Sequence, residues 1–403
     1  MAFSEQRNAM LYLLGLGVSL IGSNAMTLVA GIWVKTLTGS SAAAGLVSVC
    51  LYAPSMLSPL GGLVTDRVRR IPLLIVMNLL LGLVMLALLG VQTARQVWWI
   101  DGAMCAYGIG LIVTGPAENA LFAVMLSNAA RRRFNGWRLS LQETGRLIAP
   151  LFGAGLFSLL GGGMVAAVDA ATFAVGALMT GLIRVQEPEP TRQHTTWRAD
   201  MTAGFRHVWR INVLRRILVA ATMIMAVSGL VVAAQYSLVT AVGEPPSFLG
   251  VLSAALGAGS ITASLLSGRL LARIEERGLV LWGLGNYALG SLLRAFGSLP
   301  AVVLGSIILG FALPWVFLGV LNLTQRVTPD RLQGRVSAAV TLALFGPQAP
   351  MQALGSWAIT LVSYRVLYIG TALIAVMTAL WLARSTTTSY TGNAGPLDMH
   401  SPT

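Results

Sequence analysis

Charge is scarce in this chain. Only 10% of its 403 residues are Asp, Glu, Lys or Arg, against about 25% in an average soluble protein. With 27 basic and 14 acidic residues, the surface of a water-exposed globule of this length cannot be covered. That excludes a disordered chain and a water-exposed multi-domain enzyme. Cysteine is almost absent. Cys50 and Cys105 stand alone in separate apolar runs, which argues for packing residues and against a disulfide framework or a metal site. Histidine is confined to His194, His207 and His400, all in loops or the tail, so no histidine-based metal or catalytic centre sits in an apolar segment. No P-loop, CxxC, HExxH or G-x-S-x-G pattern is present.

What is abundant is apolar length. Hydrophobic residues make up 56% of the chain, and the mean hydropathy is +0.75. A helix that spans a bilayer needs roughly 20 apolar residues. The hydropathy pattern predicts twelve spans near 10–34, 42–64, 72–92, 97–123, 136–160, 164–184, 215–241, 248–270, 278–297, 301–323, 336–361 and 366–384. The first run is too long for the core of a cleavable signal peptide and reads as span 1. The breaks are short and polar or rich in Gly and Pro, such as Gly161-Gly162-Gly163 and Gly243-Glu244-Pro245-Pro246. The longest break, 185–214, divides the spans six and six. Four regions follow: an N-terminal six-helix bundle (1–184), a linker with an amphipathic helix (185–214), a C-terminal six-helix bundle (215–384) and a disordered tail (385–403).

The net charge of +13 could signal nucleic acid, and its distribution argues otherwise. With a cytoplasmic N-terminus, Lys35, Arg95 and Arg365 are the three basic residues of the outer loops, and Arg146 and Arg294 are two within spans. The other 22 of the 27 lie on the inner side. This positive-inside asymmetry places both termini in the cytoplasm of a bacterial-type inner membrane, and the basic excess needs no nucleic-acid partner. The stretch 199–216 is basic with interleaved aromatic and aliphatic residues. It reads as an amphipathic helix on the inner leaflet.

The two halves echo one another. Gly45 and Gly62 precede the basic loop 66–70, and Gly250 and Gly268 precede the charged loop 272–277. The stretch 131–136 before span 5 likewise resembles 329–335 before span 11. Two six-helix halves in the same orientation match the parallel repeats of secondary transporters, whose binding site lies between the repeats near the midplane.

Here the residues resemble a known family. Gly62-Leu63-Val64-Thr65-Asp66-Arg67-Val68-Arg69-Arg70 is similar to the loop 2–3 motif of the major facilitator superfamily, G-x-x-x-D-R-x-G-R-R, departing from it at Arg69, where glycine is usual, and at Ile71, where a second base is usual. Residues 116–121 and 203–216 look like the branch that contains macrolide-efflux proteins and the enterobactin exporter. Branch members often carry an acid just after the glycine at the position of Gly22, where this chain has the neutral Ser23 and Asn24. The stretch Gly145-Arg146-Leu147-Ile148-Ala149-Pro150-Leu151-Phe152-Gly153-Ala154 resembles the superfamily's antiporter motif, which is associated with export. The resemblance implies that Gly62, Asp66 and Arg67 lock an inner gate, and that spans 1, 4, 7 and 10 line a central cavity. Asn24, Gln235, Tyr236, Trp315 and Asn322 are the polar candidates for that lining.

The same stretches can be read from the residues alone. Gly145, Ala149 and Gly153 are spaced by four and share one helix face, which lets another helix approach closely. Pro150 removes a backbone donor and predicts a kink near Arg146. Glu143 and Arg146 are three apart on one face, with Glu143 about 10 Å inside the end of span 5. Glu118 sits at similar depth in span 4. A lone charge at the bilayer centre costs at least about 3 kcal/mol, so these groups are expected to pair with one another. A carboxyl group in an apolar site can take up and release a proton near neutral pH. Two readings stand for Glu143 and Glu118: proton carriers, or members of a static ion pair that fixes packing. Asp169 reads as an acid about five residues inside the outer end of span 6, Asp101 as an interfacial acid, and Arg294 as a side chain that snorkels outward.

The fold expected is therefore all-α and membrane-integral, with twelve transmembrane helices in two pseudo-symmetric bundles. The function expected is a monomeric proton-coupled efflux antiporter for a small hydrophobic molecule. A siderophore exporter is the alternative, with an importer or a non-transport membrane protein behind it. Its partners are the small-molecule substrate, protons and membrane lipid. No cofactor, metal or catalytic residue is expected.

Overall fold

The computed structural model describes residues 3–57, 68–187, 197–271 and 273–384. The expected gate residues Gly62, Asp66 and Arg67 and the tail 385–403 lie outside these. Every element among the described residues is helical: α1 (Phe3–Thr38), α2 (Ser41–Tyr52), α3 (Arg70–Ala87), α4 (Val97–Met125), α5 (Asn128–Gly181), α6 (Trp197–Arg210), α7 (Asn212–Leu230), α8 (Ala234–Ala241), α9 (Leu249–Leu271), α10 (Glu276–Phe296), α11 (Leu299–Val327), α12 (Asp330–Phe345), α13 (Gln348–Ala358) and α14 (Tyr364–Arg384). Helices suit a hydrocarbon solvent, since each satisfies its own backbone hydrogen bonds.

Eight helices among the described residues are long and apolar enough to cross a membrane. The twelve expected passages differ from these eight for local reasons. Spans 5 and 6 form the single element α5, broken only at Gly161, whose φ of 78° is open to glycine. Chain reversal at that point follows from the partners along α1. Gly145 faces Leu20 and Gly153 faces Ala25, Gly162 then meets Trp33, and beyond the break Thr172 and Asp169 face Gly22 and Met179 faces Gly15. The contacts climb α1 and then descend it. Span 7 is split into α7 and α8 around a turn at 231–233, and span 11 into α12 and α13 at Gly346-Pro347. Span 2 is continued by a 3-10 turn, Ala53–Leu57. Span 9 is α10, interrupted in its apolar character by Arg277 and Arg294.

Each half has its own core. One cluster joins α1 to α5 through Met26, Val29, Trp33, Met85, Met104 and Phe173. The other joins α7, α10, α11, α12 and α14 through Ile217, Ile224, Leu284, Val316 and Leu344. A third cluster, with Ile32, Ala44, Ala154, Tyr236, Leu252 and Tyr368, bridges the halves. Large aliphatic side chains face outward in rows, such as Leu79, Leu80 and Leu83 on α3 and Leu373, Val376, Met377 and Leu380 on α14. Rows of this size suit a lipid environment and would be a liability in water. The linker helix α6 departs from a purely leaflet-bound position. Its Val208 is fully buried, and its Gly204 lies against the Arg335 backbone carbonyl and Ala339 of α12. The exposed Trp209, Arg206 and Arg210 remain free to meet headgroups.

The close contacts between the halves lie toward one end of the molecule, the end where α1 terminates at Thr38. Gly31 of α1 lies beneath the Tyr236 hydroxyl. Gly45 of α2 touches Ala233 and Ser356. Gly250 and Gly257 of α9 touch Pro150, Ala154 and Leu147 of α5. A polar latch crosses the seam: Ser237 Oγ donates to Ser41 Oγ at 2.8 Å, and Lys35 Nζ donates to the same oxygen at 2.9 Å and to the Gly39 carbonyl at 2.7 Å. A Ser41→Cys/Ser237→Cys pair, with Cys50 and Cys105 changed to Ala, should therefore crosslink the halves under mild oxidant in membranes. Cleavage by a protease site inserted at 189–196 should leave one covalent product with the pair and two fragments with either cysteine alone. Two fragments from the oxidised pair would contradict this closure.

Candidate functional site

α5 touches both sides of the molecule. On one face Gly145, Ala149 and Gly153 press against α1, where a Cβ at Gly153 would sit 2.7 Å from the Ala25 Cβ and 2.9 Å from its Cα. Ala149 is fully buried. On the adjoining face Leu147, Pro150 and Ala154 meet α9 of the other half. Small residues are what permit this double approach. The helix with the expected antiporter stretch is thus both packed within its own half and seated on the second.

Glu143 and Arg146 form the ion pair expected of them, with Arg146 Nη1 donating to Glu143 Oε1 at 3.0 Å. The pair is open: the Arg146 side chain is 68% exposed and that of Glu143 36%. Open pairs add little to stability, so its place here is not explained by packing. Glu118 stands apart from it. It faces the Tyr12 hydroxyl of α1 and is within reach of the Arg138 charge. Arg138 itself donates to Asn119 Oδ1 at 3.2 Å and lies 5.3 Å from the Phe122 ring. The structure therefore joins Glu143 to Arg146 and leaves Glu118 in a separate nest.

The expected cavity residues scatter. Asn24 is half-buried on α1, where its amide donates to the Leu20 carbonyl at 2.8 Å, beside Gly145. Gln235 is half-buried at the start of α8. Tyr236 is buried against Gly31 in the closure between the halves. Trp315 is buried within the second half, its indole N–H donating to the Ala263 carbonyl at 3.0 Å. Asn322 lines a cleft of about 500 Å³ with Arg273, Ile274, Glu276 and Arg326 at the far end of α11. There Arg326 donates to Glu276 at 3.0 Å.

One feature is not read from the sequence, and two differ from the reading of it. Glu187, beyond α5, accepts the backbone N–H groups of Arg70 and Ile71 at 2.6 and 2.9 Å, which caps α3 and places an anion at its positive end. Arg294 does not snorkel outward. It is buried, donates to Ser306 Oγ at 2.8 and 3.2 Å and lies over the Tyr368 ring. Asp169 is deeper than expected, because its helix starts at the Gly161 break and not at the end of the glycine run. It is fully buried against Gly22 and Ser23 of α1. Only the pairing of Ser23 with an acid on a neighbouring span would have revealed it, and one sequence does not show such pairing.

Twelve passages in two halves, closed at one end around a helix that touches both, define a secondary-transporter architecture. The chain belongs to the Major Facilitator Superfamily, whose family model matches residues 11–346 and again 217–398. It is 24% identical over 388 residues to the "Multi-drug resistance efflux pump PmrA homolog" of Lactococcus lactis subsp. lactis (strain IL1403), an alignment that covers 92% of this chain and 87% of that protein. Among solved structures it is similar to the nucleoside transporter NupG (TM-score 0.73, 14% identity, covering 94% of this chain and 99% of that one). It also resembles a bacterial homolog of the human lysosomal transporter Spinster in an inward-facing, unoccupied conformation (TM-score 0.68, 16% identity, 95% of both chains). At these identities the structures speak for the fold alone.

The seam makes a stability prediction. Gly153→Val should lower the melting temperature of the purified protein, since overpacking typically costs about 1–3 kcal/mol. Gly155→Val should leave it nearly unchanged, since a Cβ there meets nothing within 4 Å. Equal effects from the two variants would show that α1 and α5 do not approach as described.

Proposed function

We propose that this chain is a proton-coupled exporter of small hydrophobic molecules, working by alternating access between the regions 1–184 and 215–384. One observation carries the reading: α5 is packed on α1 by glycine and alanine and on α9 of the other half by Pro150 and Ala154, which suits it as the hinge surface. Rocking about such a surface needs smooth, close-packed faces without large interlocking side chains. The efflux activity in the name of the Lactococcus relative supports the direction. With the N-terminus cytoplasmic, as the basic-residue asymmetry implies, the closed Thr38 end faces outward and the molecule is open inward. The exposed Glu143–Arg146 pair then stands on the inward-open side, where an arriving substrate or proton can break it. The loop at Gly62, Asp66 and Arg67 would close that side in the opposite state. Glu118 is placed to exchange protons with the same side. One proton crossing 100 mV supplies about 2.3 kcal/mol, enough to drive uphill export.

A second reading, export of a siderophore, draws on the resemblance of residues 116–121 and 203–216 to the branch that contains the enterobactin exporter.

Everted membrane vesicles test the first reading. Addition of ethidium should dissipate an imposed pH gradient in vesicles that carry the protein and not in control vesicles. Glu143→Gln should reduce gradient-driven ethidium uptake into the vesicles by roughly tenfold, about 1.4 kcal/mol in barrier terms, with expression unchanged. A wild type inert toward ethidium and a panel of other lipophilic dyes would remove the export reading, and full coupling in Glu143→Gln would remove that residue's role.

A further inference from the structure

The first half holds a second, unassigned carboxyl site. Asp169 is fully buried between α1 and the second segment of α5. Its Oδ1 accepts from Ser23 Oγ at 3.3 Å and from Thr172 Oγ1 at 3.3 Å. Its Oδ2 is buried and has no partner. The elements around it offer no countercharge among the described residues. α1 contributes Gly22 and Ser23, α3 packs Gly82 against the Ala170 carbonyl and Phe173, and α4 contributes the Tyr107 hydroxyl, which faces Ser23. Tyr107 is the one other titratable group at this point, and no basic side chain forms an ion pair with Asp169 among the described residues.

Below it runs a small cavity of about 60 Å³, lined by Tyr12, Ser19, Asn78, Glu118 and Thr180 among others. That is room for a few water molecules with polar partners. The cavity ends one helical turn short of the acid, since Ser19 precedes Ser23 by four residues and Thr172 precedes Gly176 by four. Glu118 lines its wall on the α4 side, near the N-terminal end of α1.

We propose that Asp169 is a proton-binding site, supplied from the N-terminal end of α1 through the Glu118 cavity, and that its charge governs the fit of α1 against α5. The step is simple: with the ionised seam loosened toward water, a hydronium ion advances from the cavity and gives its proton to Oδ2, a water molecule remains, and the side-chain charge goes from −1 to 0. An ionised carboxylate held only by two hydroxyls in a dry seam is costly to bury. The seam therefore stays tight when Asp169 is neutral and loosens toward water when it is ionised. Gly22 makes this fit exact in the spatial sense, since a Cβ there would lie 2.7 Å from Asp169 Oδ1. Further along, α1 carries Gly31 under Tyr236 and Lys35 on Ser41. A change at Asp169 is thus transmitted along one rigid helix to the closure between the halves.

The link to transport rests on the export reading above; proton binding does not. The test uses the full chain in lipid bilayers and follows the infrared band of protonated carboxyl groups from mildly acidic to mildly alkaline buffer. With Glu118 changed to Gln throughout, so that its own carboxyl adds no band, the expected result is a band that titrates with Asp169 in place and also after Glu143→Gln, is lost in Asp169→Asn, and reappears shifted in Asp169→Glu. In Asp169→Asn, gradient-driven ethidium movement should fall to background while downhill movement persists. Melting temperature and elution volume establish that the variant is folded, and Ser23→Ala gives a milder second probe, whose band should shift without vanishing. Survival of the band in Asp169→Asn overturns the proposal, as does loss of the wild-type band on adding sodium at fixed pH, which would make the site a sodium site. Full coupling in Asp169→Asn overturns the transport link. A wild type that moves no dye but whose band depends on Asp169 upholds the proton site and defeats only the export reading.

Discussion

The close approach of α1 and α5 is the constraint on which the rest of the structure depends. Both segments of α5 lie on α1, one on either side of Gly161, and the approach is possible only because Gly153, Gly162 and Gly22 present no side chain. In a bilayer the hydrophobic effect does not drive helices together, so shape and van der Waals contact must. Small residues supply that contact here, and they do it while leaving smooth faces. The same helix α5 then has a free side, Leu147, Pro150 and Ala154, for the second half. A large residue at any of these positions would hold the halves apart or lock them by interdigitation, so the small residues that stabilise each half also fit the proposed rocking of the two.

The few charges fall into two kinds. Some of those at the ends of the helices are partnered, as with Glu276 and the exposed Arg326, or the largely buried Glu187 and the start of α3. These tie helix ends together where water is near. Those within the spans are treated unequally. Arg294 is matched by Ser306 and by the face of Tyr368, so its charge is spread over polar and π partners deep in the second half. Glu143 has Arg146. Asp169 has hydroxyl donors alone. The pseudo-symmetric halves are therefore not equivalent in charge: one buries a satisfied cation near its closed end, the other a carboxyl group with a bare oxygen.

Much of this was legible in the sequence, and what was not has a physical reason. Span positions, the six-plus-six division and the small-residue face of 145–153 follow from hydropathy and a four-residue spacing, both local properties. The Glu143–Arg146 pair is likewise local, three residues apart on one helix. Depth and facing are not local. Asp169 reads as shallow if the glycines at 161–163 form a loop, whereas only Gly161 leaves the helix. Trp315 and Tyr236 looked like cavity residues because they are polar-tipped aromatics on cavity spans, yet rotation about the helix axis turns one into the second half and the other into the closure. Arg294 looked like a snorkelling residue because its position is two from the helix end, and its partners come from α11 and α14, 12 and 74 residues away.

The helix α1 connects these observations into a mechanism. Its middle contacts Asp169, its neighbouring turns contact the antiporter-like face of α5, and its last turns hold Tyr236 and the Ser41–Ser237 latch. A rigid helix transmits a small displacement over its length with little loss, and closely packed interfaces respond by switching between arrangements and not by gradual deformation. Neutralising one carboxyl group removes a solvation demand of several kcal/mol from the seam, comparable with the few kcal/mol that separate two packed states of a switching protein. On this scale a single proton at Asp169 is sufficient to bias the closure at the far end. On the proposed export reading, the open Glu143–Arg146 pair on α5 is a second point at which a substrate acts on the same seam.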